Sequence, residues 1–366
     1  MATDTKARLA ALRDRMSGNG TGLVALGPGS HMQWVLGFHP HADERPCLLL
    51  VAPEREAMLM PALNAGGARE STDIRFFEWA DAAGPASALT EALTWLGVAG
   101  PVKVGLDETM RADFALLLLG ALPEAQHEFS DATLGWLRMR KDAGEYGLLK
   151  MNAGLADQAM QAIFEAIRPG VSELELAAAA KVSFAGNGAT AEFTIVGAAG
   201  NGAYPHHATG DRRLAVGDAI VIDIGGRKAG FPSDITRMAA VGTLPDGYAE
   251  IHAVVERAVQ AGLAAARPGV IAREVDAAAR AVIEAAGYGP YFVHRTGHGL
   301  GIDIHEPPYV TAVSDTVLDE GMVFSIEPGI YLQGRFGIRL EEIVILRAEG
   351  PEILSGLPRE VYIAGA

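Results

Sequence analysis

The pattern Gly217-Asp-Ala-Ile-Val-Ile-Asp223-Ile-Gly225 recurs 104 positions later as Gly321-Met-Val-Phe-Ser-Ile-Glu327-Pro-Gly329. Each copy is an apolar run with an embedded acid, closed by glycine. A second acid follows each copy, Asp234 in the first half and Glu341 in the second. Because a buried acid is costly unless it is paired, protonated or bound to a metal ion, the duplication predicts one metal site between two related half-domains.

The spacing of the first two acids predicts a pair of antiparallel strands. Asp223 and Asp234 are eleven residues apart, and Gly225, Gly226 and Gly230 lie between them. A glycine-rich turn in this interval would join the strands and place both acids on one face of the sheet. The acids of the second half are expected to repeat this arrangement.

A histidine-rich segment, Thr296 to Glu306, separates the two copies. We predict that it forms a loop carrying His298, because the glycines on both sides permit close approach of the backbone.

Helical patterns extend the duplication beyond the strands. Arg-Pro-Gly-Val occurs at 168–171 and again at 267–270, each time between two alanine-rich helical patterns. A capping box, Ser172 to Glu175, opens the second helix of the first half. Two helices followed by strands, twice over, predict an α+β domain with pseudo-two-fold symmetry over residues 140–366.

Residues 1–133 predict a smaller α/β domain. Its apolar strands and its helices alternate, with strands at 23–26, 47–51 and 102–106 and helices at 86–96 and 112–122. An amphipathic helix over 4–16 is expected to end at Ser17-Gly-Asn-Gly20. The basic stretch from Trp136 to Lys141 is predicted to link the two domains.

The composition excludes several classes of partner. The chain has 30 basic and 45 acidic residues and a net charge of −15, which disfavours binding to nucleic acid. Its N-terminus shows no apolar signal region, and its apolar runs are too short to span a bilayer. Cys47 is the single cysteine, so no disulfide forms within the chain. We expect a cytoplasmic protein without a nucleic-acid or membrane partner.

The acids and the histidine together form an oxygen-rich donor set: Asp223, Asp234, His298, Glu327 and Glu341. Side-chain alternation excludes Glu342, which would point away from its neighbour Glu341. Two divalent cations would balance the four carboxylates, and the donor types favour manganese, with cobalt or zinc as alternatives. Two such cations hold a bridging hydroxide and polarise a carbonyl group, so we expect hydrolysis of an amide or ester.

This ordered set resembles the pita-bread metallopeptidases, which include methionine aminopeptidase, aminopeptidase P and prolidase. The resemblance covers residues 140–366 and rests on the ligand positions and on Asp-Ile-Thr-Arg, Gly-His-Gly-Leu-Gly and Ile-Glu-Pro-Gly. The preceding α/β domain is similar to that of the prolidase and aminopeptidase P branch. The resemblance implies a pita-bread fold, small proline-containing peptides as substrates, and a homodimer.

The same resemblance implies roles for residues outside the ligand set. His206 matches a substrate-side histidine near the scissile bond, for which the adjacent His207 is a weaker match. His305 matches a histidine that hydrogen-bonds the developing oxyanion. Glu327 matches a ligand that also moves a proton from the bridging water. His294 matches a further substrate-side histidine.

One position departs from the resemblance. Many prolidases have an arginine four residues after the second histidine, where it binds the carboxylate of the dipeptide, and this chain has Tyr309 there. Either longer peptides are accepted or another cation binds the carboxylate. Arg45 is a candidate for that cation, in this subunit or reaching a partner's site, and a solvated arginine is the alternative. Arg339 is expected to pair with a ligand carboxylate.

We therefore predict a metal-dependent Xaa-Pro dipeptidase. The alternative within the resemblance is an Xaa-Pro aminopeptidase that acts on longer peptides. A metal-free C–N hydrolase and a non-catalytic binding module on the same fold are further alternatives, and both are disfavoured because all five ligand positions are occupied by suitable donors.

Overall fold

The structure is a computed structural model that describes residues 4–365. The chain divides into two compact units between Arg138 and Met139. Within the described residues, no helix combines the length and the apolar character that crossing a membrane requires.

The N-terminal unit alternates helices and strands, as its sequence pattern predicts. Its elements are α1 (Thr5–Asn19), β1 (Leu23–Leu26), α2 (Ser30–Leu36), β2 (Leu48–Val51), β3 (Glu56–Pro61), α3 (Ala62–Arg69), β4 (Arg75–Trp79), α4 (Ala86–Leu96), β5 (Lys103–Leu106), α5 (Ala112–Ala121), β6 (Gln126–Phe129) and α6 (Leu134–Met139). The strands form a mixed sheet in the order β4-β3-β2-β1-β5-β6. Its apolar side chains are buried, and Cys47 is buried beside them.

One local prediction in this unit needs correction. Helix α1 continues through Ser17 and Gly18 to Asn19, and its cap is Gly20, whose φ of 67° is in the left-handed region that glycine adopts easily. The stretch predicted to link the domains contains the boundary between the two units, and its first residues are helical because α6 occupies Leu134–Met139.

The C-terminal unit contains the duplicated helices and strands. Its elements are α7 (Ala143–Ala166), α8 (Glu173–Gly186), β7 (Thr190–Ala198), β8 (Ala219–Lys228), β9 (Phe231–Pro232), β10 (Ile235–Val241), α9 (Tyr248–Ala265), α10 (Ala272–Ala285), β11 (Gly297–Gly299), β12 (Glu306–Val310), β13 (Val323–Ile326), β14 (Gly329–Leu332), β15 (Phe336–Arg339), β16 (Glu342–Arg347), β17 (Gly350–Ile353) and β18 (Tyr362–Ala364). The predicted capping box is present, since Ser172 accepts from the Glu175 amide and Glu175 accepts from the Ser172 amide.

The two halves build two related antiparallel sheets. The first has the order β18-β10-β8-β7, with β9 beside β8, and the second has the order β12-β11-β13-β16-β17. Strand β8 pairs with β10 so that Asp223 lies opposite Thr236, and β13 pairs with β16 so that Ile326 lies opposite Glu342. The predicted antiparallel pairing of both halves is confirmed. Helices α7 and α8 bury their apolar faces against the first sheet.

Two of the three glycines between the first two acids have a different role from the predicted one. Gly225 and Gly226 lie inside β8, where a Cβ would come within 2.3 Å of the Phe193 ring and 2.4 Å of the Phe184 ring. These glycines therefore make room for two aromatic side chains. The turn itself contains Gly230, whose φ is 83°.

Candidate metal centre

The five predicted ligands lie within strands of the two sheets or directly beside the ends of strands. Asp223 lies within β8, Asp234 directly precedes β10, and Glu327 directly follows β13. Glu341 lies between β15 and β16. The prediction that His298 lies on a loop is wrong, because His298 is the central residue of β11. The glycines beside it let this short strand pair with β12 and β13.

The ligand atoms form two groups of three that share one residue. One oxygen each of Asp223, Asp234 and Glu341 lie within 4.8 Å of one another, and we name this group the first trio. Ligand atoms of His298, Glu327 and Glu341 satisfy the same limit and form the second trio. Glu341 belongs to both trios, which is the arrangement that a carboxylate bridging two cations requires.

A cavity of about 630 Å³ opens above the two trios. It is lined by the five ligand residues together with Glu192, Phe193, Ile195, Pro205, His206, His294, Arg295, Ile304, His305 and Arg339. Its size is in the range of pockets that bind small molecules, and its wall combines apolar side chains with a few polar groups.

The ring of His298 is oriented by the backbone carbonyl group of the next residue. Its Nδ1 lies 3.1 Å from the carbonyl oxygen of Gly299, and an imidazole that donates from Nδ1 leaves Nε2 as its acceptor. Nε2 lies 3.3 Å from Glu327 Oε1 and 3.7 Å from Asp234 Oδ2. The ring nitrogen of His298 that could bind a metal ion, Nε2, therefore faces the carboxylates of the site.

Arg339 connects several parts of the site. The sequence predicted only that it would pair with a ligand carboxylate. Its guanidinium donates to Asp223 Oδ2, to the Thr236 hydroxyl at 3.1 Å and to the Tyr331 hydroxyl at 2.8 Å. Thr236 in turn donates to Glu341 Oε2 at 2.8 Å. Sequence reasoning missed Thr236, although it lies two residues after Asp234 and so shares its face of the strand.

The buried carboxylates are electrostatically crowded. Burial and neighbouring acids raise the pKa of Asp234 and Glu341 well above their ordinary values. Burial likewise raises the pKa of Asp223, against the opposing charge of Arg339. Burial also disfavours ionisation of Glu327, but the hydrogen bond and the positive charge that His298 supplies when its ring is protonated lower the pKa of Glu327 to about 2. The site therefore has an excess of negative charge that a cation would relieve.

The residues present fit a pair of divalent cations. Asp223 Oδ1 is buried and has no hydrogen-bond partner within residues 4–365, although its other oxygen is paired with Arg339. A buried acceptor without a partner is costly, and a metal ion would satisfy it. The first trio supplies three carboxylates and the second supplies two carboxylates and an imidazole, which are the donors of manganese, cobalt and zinc sites.

The two adjacent histidines of the 206–207 pair point to different surroundings. His206 is exposed and lines the cavity, whereas His207 Nε2 lies 2.9 Å from the buried Glu173 carboxylate. Glu173 also accepts from the amides of Ala198 and Gly210. His207 thus has a structural partner, and His206 is the histidine available to a ligand.

His294 lines the cavity with both ring nitrogens engaged. Nδ1 lies 2.7 Å from its neighbour's carbonyl oxygen, and Nε2 lies 2.8 Å from the Tyr331 hydroxyl. Burial lowers the pKa of His294 to about 4, so the ring is neutral at pH 7. Its predicted substrate-side role is therefore restricted to ring contacts. Tyr331 was not identified from the sequence, where a tyrosine in an apolar strand carries no distinguishing signal.

His305 and Arg45 occupy very different surroundings. The rings of His305 and His298 have centroids 4.0 Å apart, and burial and the charge of His298 lower the pKa of His305 to about 4. Arg45 belongs to the N-terminal unit and pairs there with Asp81, at 3.0 and 3.2 Å, and with Glu44 at 3.0 Å. The role of Arg45 at a substrate carboxylate stays a prediction.

Glu342 points away from the cavity, as side-chain alternation predicts. It pairs with the buried Arg237 at 3.0 Å and with Arg359 at 2.7 Å. Glu341 and Glu342, at the start of β16, thus have different partners, because successive side chains project from opposite faces.

Known proteins share both units of this structure. Metallopeptidase family M24 matches residues 148–348, and the creatinase/prolidase N-terminal domain matches residues 8–141. The chain belongs to metallopeptidase family M24. Its C-terminal unit therefore has the pita-bread fold of that family, and the protein is a metallopeptidase, as the sequence predicted.

Relatives within family M24 align with almost the whole chain. A probable dipeptidase, PepE, of Mycobacterium tuberculosis is 35% identical over 97% of this chain and 96% of its own length. An Xaa-Pro dipeptidase of Pyrococcus horikoshii is 30% identical over 94% of this chain and 96% of its own. The crystal structure of dipeptidase PepE from Mycobacterium ulcerans has a TM-score of 0.95 and 34% identity and covers 100% of both chains.

Proposed function

We propose that the protein hydrolyses the Xaa-Pro peptide bond of dipeptides with two divalent cations, manganese in the first place, held by the two trios. The observation that carries this proposal is the convergence of both trios on Glu341 in a cavity that also presents His206 and His305. The choice of dipeptides is supported by the printed names of relatives that align with almost the whole chain.

When bound, the cations would supply a water molecule of lowered pKa and would polarise the carbonyl group of the substrate. Glu327 is ionised at neutral pH and partly exposed in the cavity, so it is placed to accept a proton and pass it to the leaving amine. His305, neutral at pH 7, donates a hydrogen bond to the carbonyl oxygen as negative charge develops there. His206, which also lines the cavity, contacts the substrate.

Three alternatives are distinguished by their substrates and by metal dependence. An Xaa-Pro aminopeptidase would release the first residue of longer peptides, and a metal-free C–N hydrolase would work without cations. A binding module would have no turnover. The presence of five suitable donors in two trios disfavours the last two.

The test combines metal analysis with two peptide series. Purified protein loaded with manganese, cobalt or zinc is assayed on Xaa-Pro and Xaa-Pro-Yaa peptides, before and after EDTA treatment. We expect cleavage of Xaa-Pro, loss of activity with EDTA, and recovery on adding the metal. Asp223→Ala and His298→Ala should each reduce kcat by about a thousandfold or more, because each removes a donor from a different trio.

Full hydrolysis after chelation would refute the metal-dependent mechanism. A strong preference for Xaa-Pro-Yaa, with release of free Xaa, would instead identify an aminopeptidase. The homodimer remains a prediction from family resemblance and is measured separately by light scattering.

A further inference from the structure

Arg295 is a cavity-lining arginine without a carboxylate partner among residues 4–365. Its guanidinium carbon lies 4.7 Å from the centre of the Tyr309 ring, a cation–π contact. The other arginine of the wall, Arg339, is committed to Asp223 and to two hydroxyl groups. Arg295 is therefore the guanidinium of this wall whose hydrogen-bonding capacity is left for a ligand.

The backbone holds Arg295 beside Tyr309. The amide of Thr296 donates to the carbonyl of Val310 at 3.0 Å, which holds the segment before β11 against the end of β12 that carries Tyr309. The aromatic ring stabilises one position of the guanidinium face and leaves its N–H edge available. A planar edge with several donors matches the two oxygens of a carboxylate.

The remaining acid of the wall does not compete for this arginine. Glu192 lines the same cavity, but its carboxylate is engaged by Arg227, with a second contact at 2.8 Å. The acids of the two trios are the donors for cations. Negative charge on a ligand, distant from those acids, is therefore best matched by Arg295.

We propose that Arg295, supported by the ring of Tyr309, binds the C-terminal carboxylate of the substrate and makes the enzyme prefer free dipeptides to amidated or longer peptides. This inference rests on the proposed hydrolysis of Xaa-Pro dipeptides and adds the residue that selects their length. It also accounts for Tyr309: the aromatic side chain supports a cation that comes from the segment before β11.

The test compares Ala-Pro with Ala-Pro-amide, which differ in the terminal charge. In the metal-loaded enzyme, Arg295→Ala should lower kcat/KM for Ala-Pro about ten- to a hundredfold, mainly through KM, and should change the value for Ala-Pro-amide by less than about threefold. Arg295→Lys should give an intermediate loss on Ala-Pro, because it keeps the charge without the planar pair of donors.

Arg335→Ala is the matched control. Arg335 is exposed and also lies over an aromatic ring, 5.0 Å from the centre of Phe336, but it does not line the cavity. This variant should behave as wild type on both substrates. Equal losses on the two substrates in the Arg295 variants, or no loss on Ala-Pro, would overturn the proposal and would return Arg45 to consideration.

A binding experiment separates this inference from the proposed function. Calorimetry on the metal-loaded protein compares L-proline with L-prolinamide, in wild type and in Arg295→Ala. Tighter binding of L-proline that disappears in the variant supports the carboxylate site even if no Xaa-Pro peptide is cleaved. Cleavage of Ala-Pro with no preference for L-proline would refute the carboxylate site and leave the hydrolase assignment intact.

Discussion

At the scale of single residues, chemically similar acids are distinguished by their neighbours. Asp223 has one oxygen on Arg339 and one oxygen without a protein partner. Glu327 accepts from the Ser325 hydroxyl at 3.0 Å and lies beside His298, which keeps it ionised. Glu341 accepts from Thr236 and belongs to both trios. These different partners support the different roles proposed for the acids: metal binding for Asp223, bridging for Glu341 and proton transfer for Glu327.

Glu341→Gln is predicted to reduce occupancy of both cation positions. The amide keeps the shape and one acceptor but removes the charge that both trios share, whereas His298→Ala removes a donor from the second trio. Metal content by mass spectrometry should fall from about two ions to less than one in Glu341→Gln and to about one in His298→Ala.

The control for this prediction is Glu349→Gln, at an exposed glutamate of the same region of the chain. It should retain the metal content of wild type. Loss of a single ion in Glu341→Gln would show that Glu341 does not bridge.

At the scale of elements, strand β11 can form only because its glycines allow the backbone of other segments to come very close. A Cβ on Gly297 would lie 1.9 Å from the carbonyl oxygen of Ser325, and one on Gly299 would lie 2.3 Å from that of Pro307. These approaches bring His298 to the acids of the other strands. Sequence reasoning recognised that the glycines permit close approach, but it could not show that the neighbour is a paired strand.

Gly297→Ala is predicted to destabilise the protein by about 3 kcal/mol and to weaken metal binding, because relief of the clash moves β11 and His298. Urea denaturation and metal titration measure the two effects. Gly154→Ala, in the middle of α7 with no atom near the added methyl group, is the matched control. It should be stabilising by about 0.5–1 kcal/mol, since alanine favours the helix. A neutral Gly297→Ala would show that β11 shifts without cost.

At the scale of the whole molecule, folding brings together acids that repel one another. The chain has a net charge of −15, and its C-terminal unit gathers the four carboxylates of the two trios, three of them buried, around one arginine. Assembling such a site without cations lowers the stability of the folded state, and binding of cations raises it again. Activity and stability are therefore expected to respond together to metal.

In EDTA, Glu341→Gln is predicted to be more stable than wild type by a margin that widens as pH rises. The pKa of Glu341 is raised in the folded protein, so above about pH 4.5 the unfolded chain loses this proton while the folded chain retains it. Wild type therefore loses stability with rising pH until the folded pKa is passed, and the glutamine variant lacks this loss. The lowered pKa values of His294 and His305 are common to both proteins and cancel.

Calorimetric melting in EDTA between pH 4 and pH 8 checks this prediction. With manganese in excess the order should reverse, because wild type gains binding energy that the variant lacks. A margin that narrows with rising pH would mean that the pKa of Glu341 is not raised.

The sequence by itself determined the duplicated strands, the α/β unit before them and the metallopeptidase family, and it predicted five metal-binding side chains that the structure brings close together. It could do so because buried acids in apolar runs and closely spaced glycines are rare without a structural or chemical reason. The tertiary structure decided that Gly225 and Gly226 make room for aromatic rings, that both nitrogens of His294 are occupied, and that Arg295 lies beside Tyr309 on the cavity wall. These features depend on contacts between segments distant in the chain. The spacing of residues along one strand does not show which side chains or backbone groups of another segment will lie against it.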